Sequence, residues 1–222
     1  MKKEELARCV DHTILGAEIK KEEVIKKCKE VKEFNFASLC TMPHYLEVVT
    51  KELKDSTSKV CTVVGFPFGN TTTESKVNET KDAINKGATE IDMVMNISAF
   101  KDKEFDFVEN DISSVVKIAK NQKSDIIVKI IIETCYLSDS EIIKICKIIN
   151  NTKADFIKTS TGFGTSGAKV EDIKLIKNNI VKGIEIKASG GIKSYNDALK
   201  MIEAGATRIG VSSGVEIIKG AN

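Results

Sequence analysis

The chain has 222 residues, enough to bury a sizeable core in one barrel or one layered domain, and no composition shift marks a second domain within 1–222. Its 34 basic and 32 acidic residues are interspersed and leave a formal net charge of +2, which provides no electrostatic footprint for nucleic acid or a membrane surface. Six scattered cysteines without a C-x-x-C pair, and the lack of any long apolar stretch or leader-like start, fit free thiols in a reducing cytoplasm.

In chain order, a small N-terminal helix leads to a short run, Val10 to Thr13, that serves as a candidate first strand. Asp11 and His12 in this stretch read as a hydrogen-bonded turn closing a barrel floor or rim, or equally as a proton relay. Val24, Cys28, Val31 and Phe34 form a helical stripe. Phe36 to Cys40 follows as a strand, with Cys40 expected to be a buried or rim thiol near a pocket. Pro43, after Thr41, suits a first helical turn and carries His44 with it. The strand Val60 to Gly65 ends in Gly65-Phe66-Pro67-Phe68-Gly69, a rigid loop whose Phe66 or Phe68 is expected to wall a pocket.

Glu90 to Met95 is the next strand, and Val108, Ile112, Val115 and Ala119 mark the helix after it. Ile126 to Ile132 is again strand-like, and Ser138 with Glu141 forms a capping box for the helix that follows. Asp155 to Lys158, Ile184 to Lys187 and Arg208 to Val211 complete the strands, while Gly87 and Gly205 suit positions just beyond helix ends.

Strands recur roughly every 24 to 36 residues, the length of a strand plus a returning helix, so successive strands should run parallel. With Val10 to Thr13 counted, eight units make a closed (β/α)₈ barrel, a TIM barrel at the compact end of its size range. An internal echo, Gly87-Ala88-Thr89 and Gly205-Ala206-Thr207, places Asp92 and Gly210 at equivalent points of their units. The rival, an open doubly wound sheet, would normally have a G-x-G-x-x-G loop after its first strand; none follows Phe36 to Cys40.

Charges interrupt the apolar strands. Asp92, Lys129, Lys158 and Lys187 sit where their strands are expected to end, and burying such groups is costly unless they are paired or functional. Strand alternation puts Glu90 and Asp92 on one face, Phe156, Lys158 and Ser160 on one face, and Glu185, Lys187 and Ser189 on one face. Facing a barrel interior, they would converge near the C-terminal rim, where barrels keep their active sites. A free lysine titrates near ~10.4; desolvation and a second ammonium can bring it toward ~7 to 8, where its amine attacks carbonyls. One interior lysine would be the nucleophile and another the tuning charge, with Asp92 moving protons through a water. For Lys129 a structural ion pair with Glu133 is the favoured reading.

The loops Ser189-Gly190-Gly191 and Gly210-Val211-Ser212-Ser213-Gly214 end the last two strands and suit a phosphate, with Thr159 to Gly162 adding hydroxyls. A phosphorylated carbonyl compound follows as substrate. His12 and His44 are the only histidines and form no metal-ligand spacing, so no metal is expected.

Five segments together carry a family resemblance: Asp11-His12-Thr13; Glu90 to Val94; Val128-Lys129-Ile130-Ile131-Ile132-Glu133-Thr134; Ala154 to Phe163; and Ile186-Lys187-Ala188-Ser189-Gly190-Gly191-Ile192. The chain resembles the deoxyribose-phosphate aldolases nearly end to end. The resemblance implies reversible cleavage of 2-deoxy-D-ribose 5-phosphate into D-glyceraldehyde 3-phosphate and acetaldehyde, without metal or organic cofactor. It also implies Lys158 as the Schiff-base lysine, Lys187 as the neighbour that perturbs it, and Asp92 as a proton carrier. Gly16-Ala17 stands where many members have Lys-Pro, and Cys40-Thr41-Met42-Pro43 replaces a commoner Cys-Val-Asn-Pro. The sequence closes on Lys219-Gly220-Ala221-Asn222, without the terminal tyrosine of some members. Transaldolase-type chemistry and a non-catalytic phosphate-binding barrel are the alternatives, and a homodimer is the expected assembly.

Overall fold

A computed structural model describes residues 1–220 of the protein. Ala221 and Asn222, which belong to the tail reading, lie outside the described residues. Eight parallel strands close into a barrel in sequence order. They are β1 (Val10–Ile14), β2 (Ser38–Thr41), β3 (Lys59–Val64), β4 (Glu90–Val94), β5 (Ile127–Ile131), β6 (Phe156–Lys158), β7 (Glu185–Ser189) and β8 (Arg208–Val211). The ring shuts where β1 pairs with β8, Asp11 opposite Gly210.

The helices are α1 (Lys3–Ala7), α2 (Lys21–Phe34), α3 (Leu46–Glu52), α4 (Thr73–Asn85), α5 (Ile97–Lys101), α6 (Phe105–Gln122), α7 (Asp139–Ile149), α8 (Val170–Lys177), α9 (Tyr195–Ala204) and α10 (Gly214–Lys219). Local chemistry sets several of their ends. Ser138 and Glu141 form the expected capping box on α7. Pro43 opens a short 3₁₀ turn ahead of α3. Gly87 and Gly205 both take positive φ, and a side chain at Gly87 would strike Thr50. Among the described residues, no helix is long and apolar enough to cross a membrane.

Alternation along each strand divides the molecule into two kinds of core. Ile91, Met93, Val128, Ile130, Ile157, Ile186, Ala188 and Ile209 join the helices in the main apolar cluster, together with the stripes Val24–Cys28–Val31 and Val108–Ile112–Val115–Ala119. The intervening residues of β4 to β8 turn their polar side chains into the barrel, so much of its interior is charged.

Two expectations need correction. Asp11 and His12 do not form a turn; both belong to β1, with Asp11 joining the ions inside the barrel and His12 turned outward against Glu30 and Phe36. Lys158 does end its strand, but Asp92, Lys129 and Lys187 each lie in the middle of theirs. A parallel ladder is held by backbone groups, so pairing continues past an inward-facing charge, as Ser189 opposite Gly210 shows.

Candidate active site

Inside the barrel, strand register brings four cations onto three carboxylates. Lys129 Nζ donates to Glu90 at 2.5 Å and to Asp92 Oδ1 at 2.9 Å. Lys158 Nζ and Lys187 Nζ both donate to Asp92 Oδ2, at 2.8 and 2.7 Å. Lys187 Nζ also lies 2.5 Å from Asp11 Oδ2 in an ion pair. Below them, Arg208 bridges Asp11 and Glu90 at 2.6 and 3.2 Å, and the Ser38 hydroxyl donates to Asp11.

Burial alone would favour the neutral forms of Asp11, Asp92, Lys129 and Lys187. Mutual attraction outweighs it. Against that desolvation, the cations Lys129, Lys158 and Lys187 hold Asp92 well below the usual carboxylate range, and Lys187, Lys129 and Arg208 hold Asp11 low. The Asp11 and Asp92 carboxylates likewise raise Lys187, and Asp92, Cys61 and Glu90 raise Lys129 well above ordinary lysine behaviour. Lys187 is therefore a fixed cation beside Lys158. With three fixed cations facing three carboxylates, the cluster is electroneutral when Lys158 is an uncharged amine.

Access separates the lysines. A cavity of about 510 Å³ opens above the cluster and is lined by Lys158, whereas Lys129 and Lys187 are sealed beneath it. Gly162, Gly190, Gly191 and Ser212 line the same cavity, together with Thr161 and Gly210. Ser213 does not line it; this residue immediately precedes α10. Cys40 is buried against Asp92 at 4.0 Å and also lies outside the lining. Asp11 sits at the floor, in contact with Lys187 and Arg208.

The expected Lys129–Glu133 pair is absent. Lys129 pairs with Glu90 and Asp92, while Glu133 has left β5 with φ 52° and turns to Thr161, accepting its N–H at 3.1 Å and its hydroxyl hydrogen. Neither Phe66 nor Phe68 walls the main cavity. Phe66 packs edge-on against Phe163, and Phe68 lines a smaller neighbouring pocket.

Sequence reasoning missed Arg208, Cys61 and Ser38 as members of the cluster, and gave Glu90 no role. The signal was present for two of them: Glu90 is two residues before Asp92, and Arg208 is two before Gly210, each on an inward face. The donor atoms of Cys40, Cys61 and Asp92 lie within 4.8 Å of one another, as do those of Asp11, Cys61 and Glu90. These sets do not fit a metal ion, because lysine ammoniums and the Arg208 guanidinium already engage the carboxylates and would repel it.

Residues 6–220 match the family model described as DeoC/LacD family aldolase. The chain is 53% identical to the deoxyribose-phosphate aldolase of Caldanaerobacter subterraneus, over 99% of this chain and 96% of that protein. It is 50% identical to the deoxyribose-phosphate aldolase of Bacillus subtilis, over 98% and 96%. Among solved structures, a putative deoxyribose-phosphate aldolase from Coccidioides immitis superposes with a TM-score of 0.94 at 37% identity, covering 99% of this chain and 86% of that one. The tetrameric deoxyribose phosphate aldolase of Aeropyrum pernix gives 0.91 at 30% identity, covering 98% and 91%.

Proposed function

The chain belongs to the DeoC/LacD family of aldolases, and from that premise we propose that its cleavage of 2-deoxy-D-ribose 5-phosphate runs through a Schiff base on Lys158. The reaction is reversible and yields D-glyceraldehyde 3-phosphate and acetaldehyde. One observation carries the assignment of the nucleophile: of the three lysines inside the barrel, Lys158 alone opens onto the cavity.

In the cleavage direction the uncharged Lys158 amine adds to the C1 aldehyde of the open-chain sugar, and loss of water leaves an iminium. A base removes the C3 hydroxyl proton, the C2–C3 bond breaks, and its electron pair moves into the iminium to form an enamine. Glyceraldehyde 3-phosphate departs. The enamine is protonated at C2, with Asp92, Lys187 and a water as the proton route, and hydrolysis releases acetaldehyde and the free amine. Asp92 is ionised at rest, so it acts as an acceptor that hands protons on. Fixed Lys187 favours the uncharged amine at the start of the cycle.

Gly162, Gly190, Gly191 and Ser212 are proposed to hold the phosphate end, with backbone N–H groups close enough to meet an anion. The enzyme is further proposed to act as a homodimer in the cytoplasm, where its cysteines would remain free thiols.

Borohydride reduction in the presence of acetaldehyde tests the central step. The parent protein should acquire a stable adduct on Lys158 and Lys158→Ala should acquire none; an undiminished adduct in the variant would assign the chemistry to another amine. Release of both products from 2-deoxyribose 5-phosphate in EDTA tests the metal-independent reaction.

A further inference from the structure

The loops assigned to the phosphate offer backbone N–H groups and neutral hydroxyls but no charge, yet a phosphate monoester carries roughly −1.5 to −2 charges at neutral pH. A cation at that end of the cavity would balance this charge. Of the residues that line it, two are cationic: Lys158 and Lys27. Lys158 is committed to the aldehyde end of the substrate in the proposed Schiff-base reaction, which leaves Lys27.

Lys27 projects from α2 to the loop after β8. Its ammonium donates to Glu30 Oε2 at 2.9 Å and to the Ser212 carbonyl at 3.0 Å, beside the loop already assigned to the phosphate. An ammonium has three N–H donors, so one remains for a ligand oxygen. Glu30 fixes this geometry from behind. Its carboxylate also bonds buried His12 of β1 at 2.7 Å, which anchors it to the barrel wall. The side chain of Lys27 is partly exposed, at 22%, as a group that must meet an entering ligand requires. Glu23, an anion on the same cavity wall, accepts the Lys20 N–H at 2.9 Å and so caps the start of α2, one turn from Lys27.

We infer that Lys27 is the cation that binds the substrate's phosphate, and that it selects phosphorylated over unphosphorylated deoxyribose. The inference builds on the proposed aldolase reaction for the placement of the substrate. A charge-assisted contact of this kind is directional and strong, whereas a lysine that merely ties α2 to the β8 loop would treat both sugars alike.

Lys27→Gln keeps a donor for the Ser212 carbonyl and removes the charge. Loss of one charged hydrogen bond predicts a fall of about 10- to 100-fold in kcat/KM for 2-deoxyribose 5-phosphate, mostly through KM. For unphosphorylated 2-deoxyribose the fall should stay within about threefold, and Lys27→Arg should recover most of the selectivity. Equal losses on the two sugars, or no loss on either, would overturn the inference. Calorimetric titration with inorganic phosphate reads the same contact without turnover: binding should weaken about 10-fold or more in Lys27→Gln. Unaltered phosphate affinity would refute the role of Lys27 even if cleavage proceeds. Weakened affinity in a protein that forms no Lys158 adduct would instead leave Lys27 in place and refute the proposed mechanism.

Discussion

Lys158 and Lys187 donate to the same atom, Oδ2 of Asp92. Neighbouring positions on β6 and β7 are paired in register, so the barrel itself brings the two ammoniums together. One carboxylate oxygen is shared between them, while Lys187 has a second carboxylate, Asp11, and Lys158 does not. Of the pair, Lys158 is the amine held by a single carboxylate and the one that faces the cavity.

Replacing Lys187 should change the charge state of Lys158. Lys187→Leu keeps an apolar stem and removes a fixed charge, leaving Lys158 to balance the carboxylates as a cation. The acidic limb of the pH profile for imine formation should move upward by at least about one unit. At neutral pH the rate should fall by roughly 10-fold or more for the same reason. A limb that stays where it is would show that Lys187 does not tune the nucleophile.

Asp92→Asn leaves the three fixed cations Lys129, Lys187 and Arg208 against two carboxylates inside the barrel. Breaking a buried ionic cluster by removing one partner costs about 3–5 kcal/mol, so the urea midpoint should drop markedly along with activity. The pH dependence has a definite sign. Asp92 and Asp11 are held below the ordinary carboxylate value, so their stabilisation is complete above about pH 4 and is lost as pH falls further toward the folded values. Lys129 and Lys187 are raised, so theirs is complete below about 10.4 and is lost only as pH rises beyond it. Urea denaturation from pH 3 to 7 should show a steep acid loss in the parent and a shallower one in Asp92→Asn. Parallel curves would mean that Asp92 does not carry the linkage.

Gly210 makes room for this cluster. A Cβ built there would lie 3.0 Å from Lys187 Cε and 3.0 Å from Ser189 Cβ. Lys187 cannot swing away without leaving Asp11 or Asp92, so the crowding falls on the ion pairs. Gly210→Ala should cost about 1–3 kcal/mol in urea denaturation and lower kcat more than it raises KM. Full stability and activity in the variant would show that the stem of Lys187 can yield without disturbing its charge.

The barrel was legible because two periods alternate along the chain, and because Gly87 and Gly205 mark equivalent joints. The convergence of Asp92, Lys158 and Lys187 was legible for a related reason: alternation fixes which face each residue takes once the strand is recognised. What alternation does not encode is stagger between strands. Lys129 lies opposite Asp92 in the ladder and reaches Glu90, so the adjacent-looking Glu133 was the wrong partner. Arg208 escaped notice because its partners, Asp11 and Glu90, come from distant parts of the chain and meet only on closure of the ring. Helix-borne contributors such as Lys27 were hidden too, since a lysine on a polar helix face looks like any solvated charge until the β8 loop is placed against it.

Glu133 makes the remaining case, because it is buried and, among the described residues, forms no ion pair. Its carboxylate is spent on a neutral partner, taking the Thr161 N–H and hydroxyl, while Thr161 Oγ1 accepts the Phe163 N–H at 3.0 Å. This chain of bonds fixes the loop that lines the cavity beside Lys158 and just ahead of Gly162. Glu133→Leu keeps much of the bulk and removes both acceptor oxygens, so the N–H and the hydroxyl of Thr161 lose the carboxylate that takes them. An unmet buried hydrogen bond costs about 1–3 kcal/mol. Because the loop contacts the substrate but does not supply the amine, the cost should appear as a rise of about 10-fold in KM, with borohydride trapping at Lys158 retained. Loss of trapping together with KM would place Glu133 in the chemistry itself; an unchanged KM would show that the loop keeps its shape by backbone contacts alone.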